Sequence, residues 1–276
     1  MRFKVVMSRI LVHAFLLSGA SLMILPFVWM VLTSFKTVGE STSMNPFVFF
    51  PSEWKWEHYS NVWRQNHFLN LYVNTFAMMA IRVILGVLFS AMAAYAFARL
   101  RFPGRNFFFG LVLFQMMVPT QIFIIPQYLM VDAIHMRNTI FALVFPGLVS
   151  AFGTFLLRQF FLVLPKELEE AAKLDGCNIG QTFLLVMLPL TRSGLVALAI
   201  FTALFAFKDL MWPLIVNTNA DAATLSSALA KIQSAYSVYY PELMTAAVLA
   251  IWPMMLVYFL FQRQFIEGIS TSGSKL

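Results

Sequence analysis

Apolar residues run along this chain in blocks of roughly 20, long and unbroken enough to cross a bilayer and too long for the strands or half-buried helices of a soluble core. The pattern predicts six helical spans, at Ile10–Leu32, Leu71–Phe97, Phe107–Met130, Thr139–Phe161, Ser193–Val216 and Leu243–Phe261. Pro119, Pro126, Pro146 and Pro213 fall inside these blocks and are expected to kink them, since proline has no N–H to give the helix ladder. Between the first two spans, residues 36–68 are polar and aromatic, with Trp54, Trp56, Tyr59 and Trp63, a belt suited to a membrane–water interface. The polar link after the fifth span carries a short helix near Leu225–Ser234.

One stretch breaks the apolar pattern. From Leu164 to Leu190 the chain predicts a short amphipathic helix, a sharp turn and a second, more apolar helix. Leu164, Leu168, Ala171 and Ala172 form its apolar stripe, and Glu169 precedes Lys173 by one turn in the favourable order. Gly176 can take the left-handed conformation that ends a helix. Asn178 and Gln181 have capping-box chemistry for the second helix, which carries Ile179, Phe183, Val186 and Met187 and is limited by Pro189.

Composition narrows the class. Of 276 residues, 60% are hydrophobic and 11% charged, and the mean hydropathy is +0.78, which leaves the bilayer as the solvent. The net charge of +7 reflects orientation rather than nucleic acid, because no basic patch is interleaved with aromatics. Arg2, Lys4, Arg9, Arg99, Arg101, Arg105, Arg158, Lys166, Lys173, Arg192, Arg263 and Lys275 fall on the N-terminal side of the spans, whereas only Lys36, Lys55, Arg64, Arg137 and Lys231 fall on the other. The positive-inside rule therefore places both termini and the acidic helix in the cytoplasm. The fold class is an all-α polytopic membrane protein with six transmembrane helices, and the basic, apolar N-terminal run is taken as an uncleaved first helix. The single Cys177 excludes an intrachain disulfide, His13, His58, His67 and His135 share no metal-ligand spacing, and no glycine-rich phosphate loop is present.

Glu170-Ala171-Ala172, three residues, Gly176, nine residues, then Val186, Met187 and Leu188-Pro189 resembles the EAA loop of ABC-importer permeases, with valine for the usual isoleucine. The segments LRQFF, LPKELEEAAKLDG, DLMWPLIV, the RFPGR turn and the C-terminal QRQFIEGISTSGSKL are similar to carbohydrate-uptake permeases, the MalG-like half of that subfamily. The resemblance implies three parts. Residues 1–70 would form the first transmembrane helix and an extracytoplasmic segment, 71–265 the permease core with its EAA loop at 165–190, and 266–276 a cytoplasmic tail. It implies a coupling helix between spans four and five, with Glu170, Ala171, Ala172, Asp175, Gly176, Leu188 and Pro189 as the ATPase-coupling residues. The implied partners are a second homologous permease, an ATPase dimer, an extracytoplasmic solute-binding protein and the lipid bilayer. No cofactor is expected in this chain, which is not an enzyme; ATP and Mg would sit on the partner ATPase. The place is a bacterial-type cytoplasmic membrane, and the solute a carbohydrate, polyol or sugar phosphate passed by alternating access.

Three charges lie within spans, where each costs roughly 2.5–3.5 kcal/mol on insertion scales. Arg82 and Asp209 differ in depth by only ~6 Å and are expected to face the interior and pair near the solute path. Lys208 lies near the outer end of its span, and with Phe207 replaces the Trp-Asn pair usual in the family. Two alternatives remain beside the sugar permease: a permease for a non-sugar solute, and a polytopic membrane enzyme. The enzyme would need an acid/base, Ser/His or metal constellation at the membrane face. A channel or secondary transporter would need several interior charges or internal repeats.

Overall fold

The computed structural model describes residues 2–44, 47–235 and 239–273, so Ser274, Lys275 and Leu276 of the expected tail lie outside the described residues. Helix follows helix: α1 (Arg2–Ser34), α2 (Val38–Thr42), α3 (Glu57–Gln65), α4 (Phe68–Arg99), α5 (Arg105–Met117), α6 (Ile124–Ala133), α7 (Ile140–Val144) and α8 (Ala151–Val163). Then come α9 (Glu167–Leu174), α10 (Ile179–Gln181), α11 (Leu188–Leu190), α12 (Arg192–Lys208), α13 (Met211–Val216), α14 (Leu225–Ala235) and α15 (Tyr240–Gly273). Among the described residues the only extended pairing is an isolated bridge between Met44 and Phe47.

Three helices are long and apolar enough to cross a membrane: Arg9–Ser34, Phe68–Arg99 and Tyr240–Phe259. Three bent pairs bring the number to six if each pair is one span. In α1, Leu11, Phe15, Leu16, Leu22 and Met23 are all more than half exposed, a surface that needs an apolar solvent.

The bends have local causes, and they correct two expectations. The third span is not merely kinked: α5 and the Thr120–Ala133 segment meet at 102°, with Pro119 at the corner. The fifth span is not continuous over Ser193–Val216. It stops at Lys208, and α13 restarts at Met211. Pro213 explains the gap, because it cannot donate to the carbonyl of Asp209 four residues back. That carbonyl instead accepts the Ser226 hydroxyl at 2.5 Å, and Asp209 turns to extended backbone. Pro126 and Pro213 both lie in the first turn of a helix, where a missing N–H costs little, rather than kinking one. Pro146 sits in the 3₁₀ turn Phe145–Leu148 that continues α7, and the combined Ile140–Leu148 segment meets α8 at 46°.

Contacts divide the chain into two compact units, Met1–Phe68 with Leu229–Met255, and Leu69–Ala228 with Leu256–Leu276. In the first, Phe35 at the end of α1 packs on Trp54, Trp56 and Tyr59 at ring distances of 5.0, 4.7 and 5.1 Å. Ser34 and Tyr59 share a hydroxyl hydrogen bond of 2.7 Å, and Thr245 of α15 donates to the Ser34 carbonyl at 3.2 Å. Burial of Lys36 pushes its ammonium pKa down; Nζ donates to the Val48 carbonyl at 2.7 Å and lies 3.8 Å from the Trp29 ring centre.

The second unit has a core against each half of α4. One gathers Met78, Leu143, Ala206 and Trp212, and there the Trp212 indole donates to the Ala142 carbonyl at 2.7 Å. The other gathers Ala94, Tyr95, Phe161, Phe183 and Met187. Close approach requires small residues: a Cβ at Gly194 would stand 2.7 Å from the Phe160 ring, and one at Gly153 would stand 2.6 Å from the Ser90 hydroxyl.

Candidate functional site

The Leu164–Leu190 stretch folds as its caps dictate. α9 carries Glu167, Glu169 and Glu170 in its first turn and Lys173 in its last, both signs matched to the helix dipole. Asp175 is its C-cap, and Gly176 follows at φ +82°. The Cys177 amide donates to the Ala172 carbonyl at 2.9 Å, and the Gly176 amide to that of Lys173 at 3.0 Å. These two bonds make a Schellman stop. Asn178 and Gln181 then close a capping box at the start of α10, each side chain accepting the other's amide at 2.9 Å. The following turns, Thr182–Met187, are wound as a π-helix, the kind of local widening that recurs at functional sites. α11 carries Leu188, half-buried, and Pro189, exposed, and the chain turns 80° at Thr191 into α12.

α9 has two unlike faces. Ala172 is buried and Leu168 half-buried against the protein, and Glu169 shares that side. Glu170, Ala171, Leu174, Asp175 and Gly176 are exposed, Leu174 at 90%. Ala171 is thus not part of the inner stripe expected of it. It joins Leu174, one turn on, as an outward apolar spot bordered by Glu170, Lys173 and Asp175.

Behind α9 stands a residue that sequence reasoning passed over. Arg99, the last of α4, has a side chain only 5% exposed. Its guanidinium donates to the carbonyls of Phe161 and Leu164 at the end of α8, and its Nε lies 3.9 Å from the Glu169 carboxylate. Arg158 makes a similar brace from α8, donating to the Phe97 carbonyl at 3.3 Å and lying over the Phe109 ring at 4.1 Å. The only advance sign of either was a cation at the end of a span.

Midway along α4 the structure brings Arg82 and Asp209 together. Arg82 is 6% exposed, and its Nη1 donates to the Asp209 carboxylate at 2.8 Å. Its Nε and Nη2 donate to the Leu143 carbonyl, in the last turn of α7. The guanidinium therefore joins the end of α7 to the side chain of the residue that follows α12. Gly147 makes the space, since a Cβ there would lie 2.6 Å from Arg82 Cδ. Lys208 is not drawn in. It is exposed at the end of α12, away from the pair's hydrogen bonds. No cluster of three or more His, Cys, Asp or Glu residues capable of holding a metal occurs among the described residues.

Residues 86–271 match the family described as the binding-protein-dependent transport system inner membrane component. The chain belongs to that family. It is a transport permease subunit rather than an enzyme, as are its relatives. The arabinooligosaccharides transport system permease protein AraQ of Halalkalibacterium halodurans is 39% identical to this permease over 193 residues, 70% of this chain and 69% of that one. The diacetylchitobiose uptake system permease protein NgcG of Streptomyces coelicolor is 33% identical over 94% of this chain and 86% of its own. The sn-glycerol-3-phosphate transport system permease protein UgpE of Yersinia pestis is 29% identical, covering 94% and 95%. The permease also superposes on a chain from the crystal structure of a bacterial ABC transporter involved in the import of the acidic polysaccharide alginate. The TM-score is 0.77 over 92% of this chain and 95% of that one, and at 23% identity the likeness is one of fold.

Proposed function

We propose that this permease is one of two homologous membrane subunits of an ATP-driven importer, and that it passes a carbohydrate or a related polyol or sugar-phosphate solute across a bacterial-type cytoplasmic membrane. On this reading the chain makes six spans, with both termini and α9 in the cytoplasm. α9 is the coupling helix, seated in a cleft of a partner ATPase that carries the ATP and Mg, and a solute-binding protein delivers the cargo from outside. Closure of the ATPase dimer moves α9 and switches which side of the membrane the pathway faces.

The observation that carries this reading is the division of α9. A helix braced on one face and bare on the other, with Leu174 fully outward between Glu170 and Asp175, is a docking knob. The small Ala171 allows close approach, and Glu170 can accept charge-assisted hydrogen bonds from a partner's cations. Gly176 re-aims the chain toward α10, so motion of the knob is passed on. The solute class is supported by the arabinooligosaccharide, diacetylchitobiose and glycerol-3-phosphate systems to which the relatives belong. We assign Arg82, Asp209 and the neighbouring Lys208 to the solute pathway.

The test is the assembled transporter in proteoliposomes. Gly176→Leu is expected to leave the ATPase bound while uptake falls and ATP turnover persists. Normal uptake with normal ATP turnover would remove the coupling role. Labelling of Cys177 by an impermeant thiol reagent added outside intact cells would place α9 on the wrong face and end the proposal.

A further inference from the structure

The covalent route from α9 to the membrane segment runs through Gly176, the π-helical turns and the 80° corner at Thr191. A second route exists through side chains. Arg99 grips the Phe161 and Leu164 carbonyls at the negative end of the α8 dipole, one of them two residues short of the N-cap of α9. It thereby ties the root of α9 to the last residue of α4. Its Nε faces Glu169 Oε1 at 3.9 Å, within ion-pair range but beyond a hydrogen bond. Both atoms are buried and neither has another hydrogen-bond partner among the described residues. Tyr95, one turn back on α4, also lies close enough for the Glu169 carboxylate to act on its hydroxyl.

We propose that Arg99 and Glu169 are positioning residues of the coupling step, a lateral joint through which displacement of α9 moves α4. This inference rests on the reading of α9 as the coupling helix. A shift of α9 toward α4 by about 1 Å turns the contact into a charge-assisted hydrogen bond near 2.8 Å; a shift away opens it. In a buried, low-dielectric site the energy changes steeply over that distance. α4 is continuous from Arg99 back to Arg82, a run of about 25 Å at the helical rise, so the joint and the Arg82–Asp209 pair sit on one rigid rod.

Glu169→Gln tests it, because glutamine keeps the shape and removes the charge. Arg99→Lys is the companion: an ammonium cannot span the two carbonyls and the carboxylate together. The readouts are co-purification of the ATPase, ATP turnover, and solute accumulated per ATP hydrolysed by the reconstituted transporter. Both variants are expected to retain the ATPase and its turnover, while solute moved per ATP drops by roughly 2- to 30-fold, the range seen for residues along coupling networks. If Arg99→Lys fails to assemble, Glu169→Gln decides alone. An unchanged ratio in Glu169→Gln with the ATPase bound overturns the lateral joint and leaves α9 as the docking helix. Loss of the ATPase in Glu169→Gln makes Glu169 a docking contact and also overturns it. Absence of any ATPase from the unaltered complex would instead sink the coupling reading itself.

Discussion

The Arg82–Asp209 pair makes a quantitative demand on stability. Asp209→Asn keeps an oxygen in place to accept from Arg82 but removes the counter-charge from a guanidinium that is 6% exposed. Breaking a buried pair by removing one partner costs about 3–5 kcal/mol. The Asp209 side chain is 21% exposed and asparagine retains an acceptor, so the expected loss lies lower, at about 2–3 kcal/mol. Arg82→Met should cost more, about 3–5 kcal/mol, because it strands both the Asp209 carboxylate and the Leu143 carbonyl. The double variant should be less damaging than the two losses added together, by about 1 kcal/mol or more, since each single change leaves a partner that the other removes. The assay is thermal unfolding of the detergent-solubilised transporter, followed by tryptophan fluorescence. At about 2–4 °C per kcal/mol, Asp209→Asn should lower the midpoint by roughly 4–12 °C. A shift below about 2 °C, or strict additivity in the double variant, would show that the two charges are not energetically coupled.

Three further outcomes follow from local geometry. Gly147→Ala places a Cβ 2.6 Å from Arg82 Cδ and should destabilise by about 1–3 kcal/mol in the same unfolding assay, with much of that loss absent when Arg82 is already alanine, which removes the Arg82 atoms the new Cβ would meet. Gly176 sits at φ +82° with open space around it, so Gly176→Asn should support more uptake than Gly176→Leu in transport assays, because asparagine tolerates the left-handed region better. Glu40, in the first unit, has its carboxyl pulled down to about 2 by hydrogen bonds from Ser52 and from Thr37. A depressed carboxyl pKa gives stability that is present above the ordinary carboxylate range and is lost as pH falls toward 2. Protection of the Thr37 and Ser52 amides from hydrogen exchange, taken relative to the intrinsic rate at each pH, should therefore fall between about pH 4.5 and pH 2, and Glu40→Gln should remove that pH dependence.

Local rules reached a long way in this chain. The apolar blocks located α1, α4 and α15, because a bilayer-length helix is written in consecutive residues. The stop at Gly176 and the box between Asn178 and Gln181 were legible for the same reason: each cap closes within a few residues. The Arg82–Asp209 contact was also within reach, since two costly charges at similar depth have few ways to be satisfied.

Tertiary structure decided the rest. Apart from Asp209, the acceptors for Arg82 and Arg99 are main-chain carbonyls of Leu143, Phe161 and Leu164, and a carbonyl carries no signature in sequence. Only the places where helices break and meet make those carbonyls available. The break at Asp209 depends on Pro213 four residues ahead, together with a hydroxyl from Ser226 seventeen residues along to take the freed carbonyl. Which face of α9 is braced was equally hidden: Glu169 and Glu170 are adjacent and chemically alike, and it is the position of α4 and its terminal arginine that turns one inward and leaves the other bare.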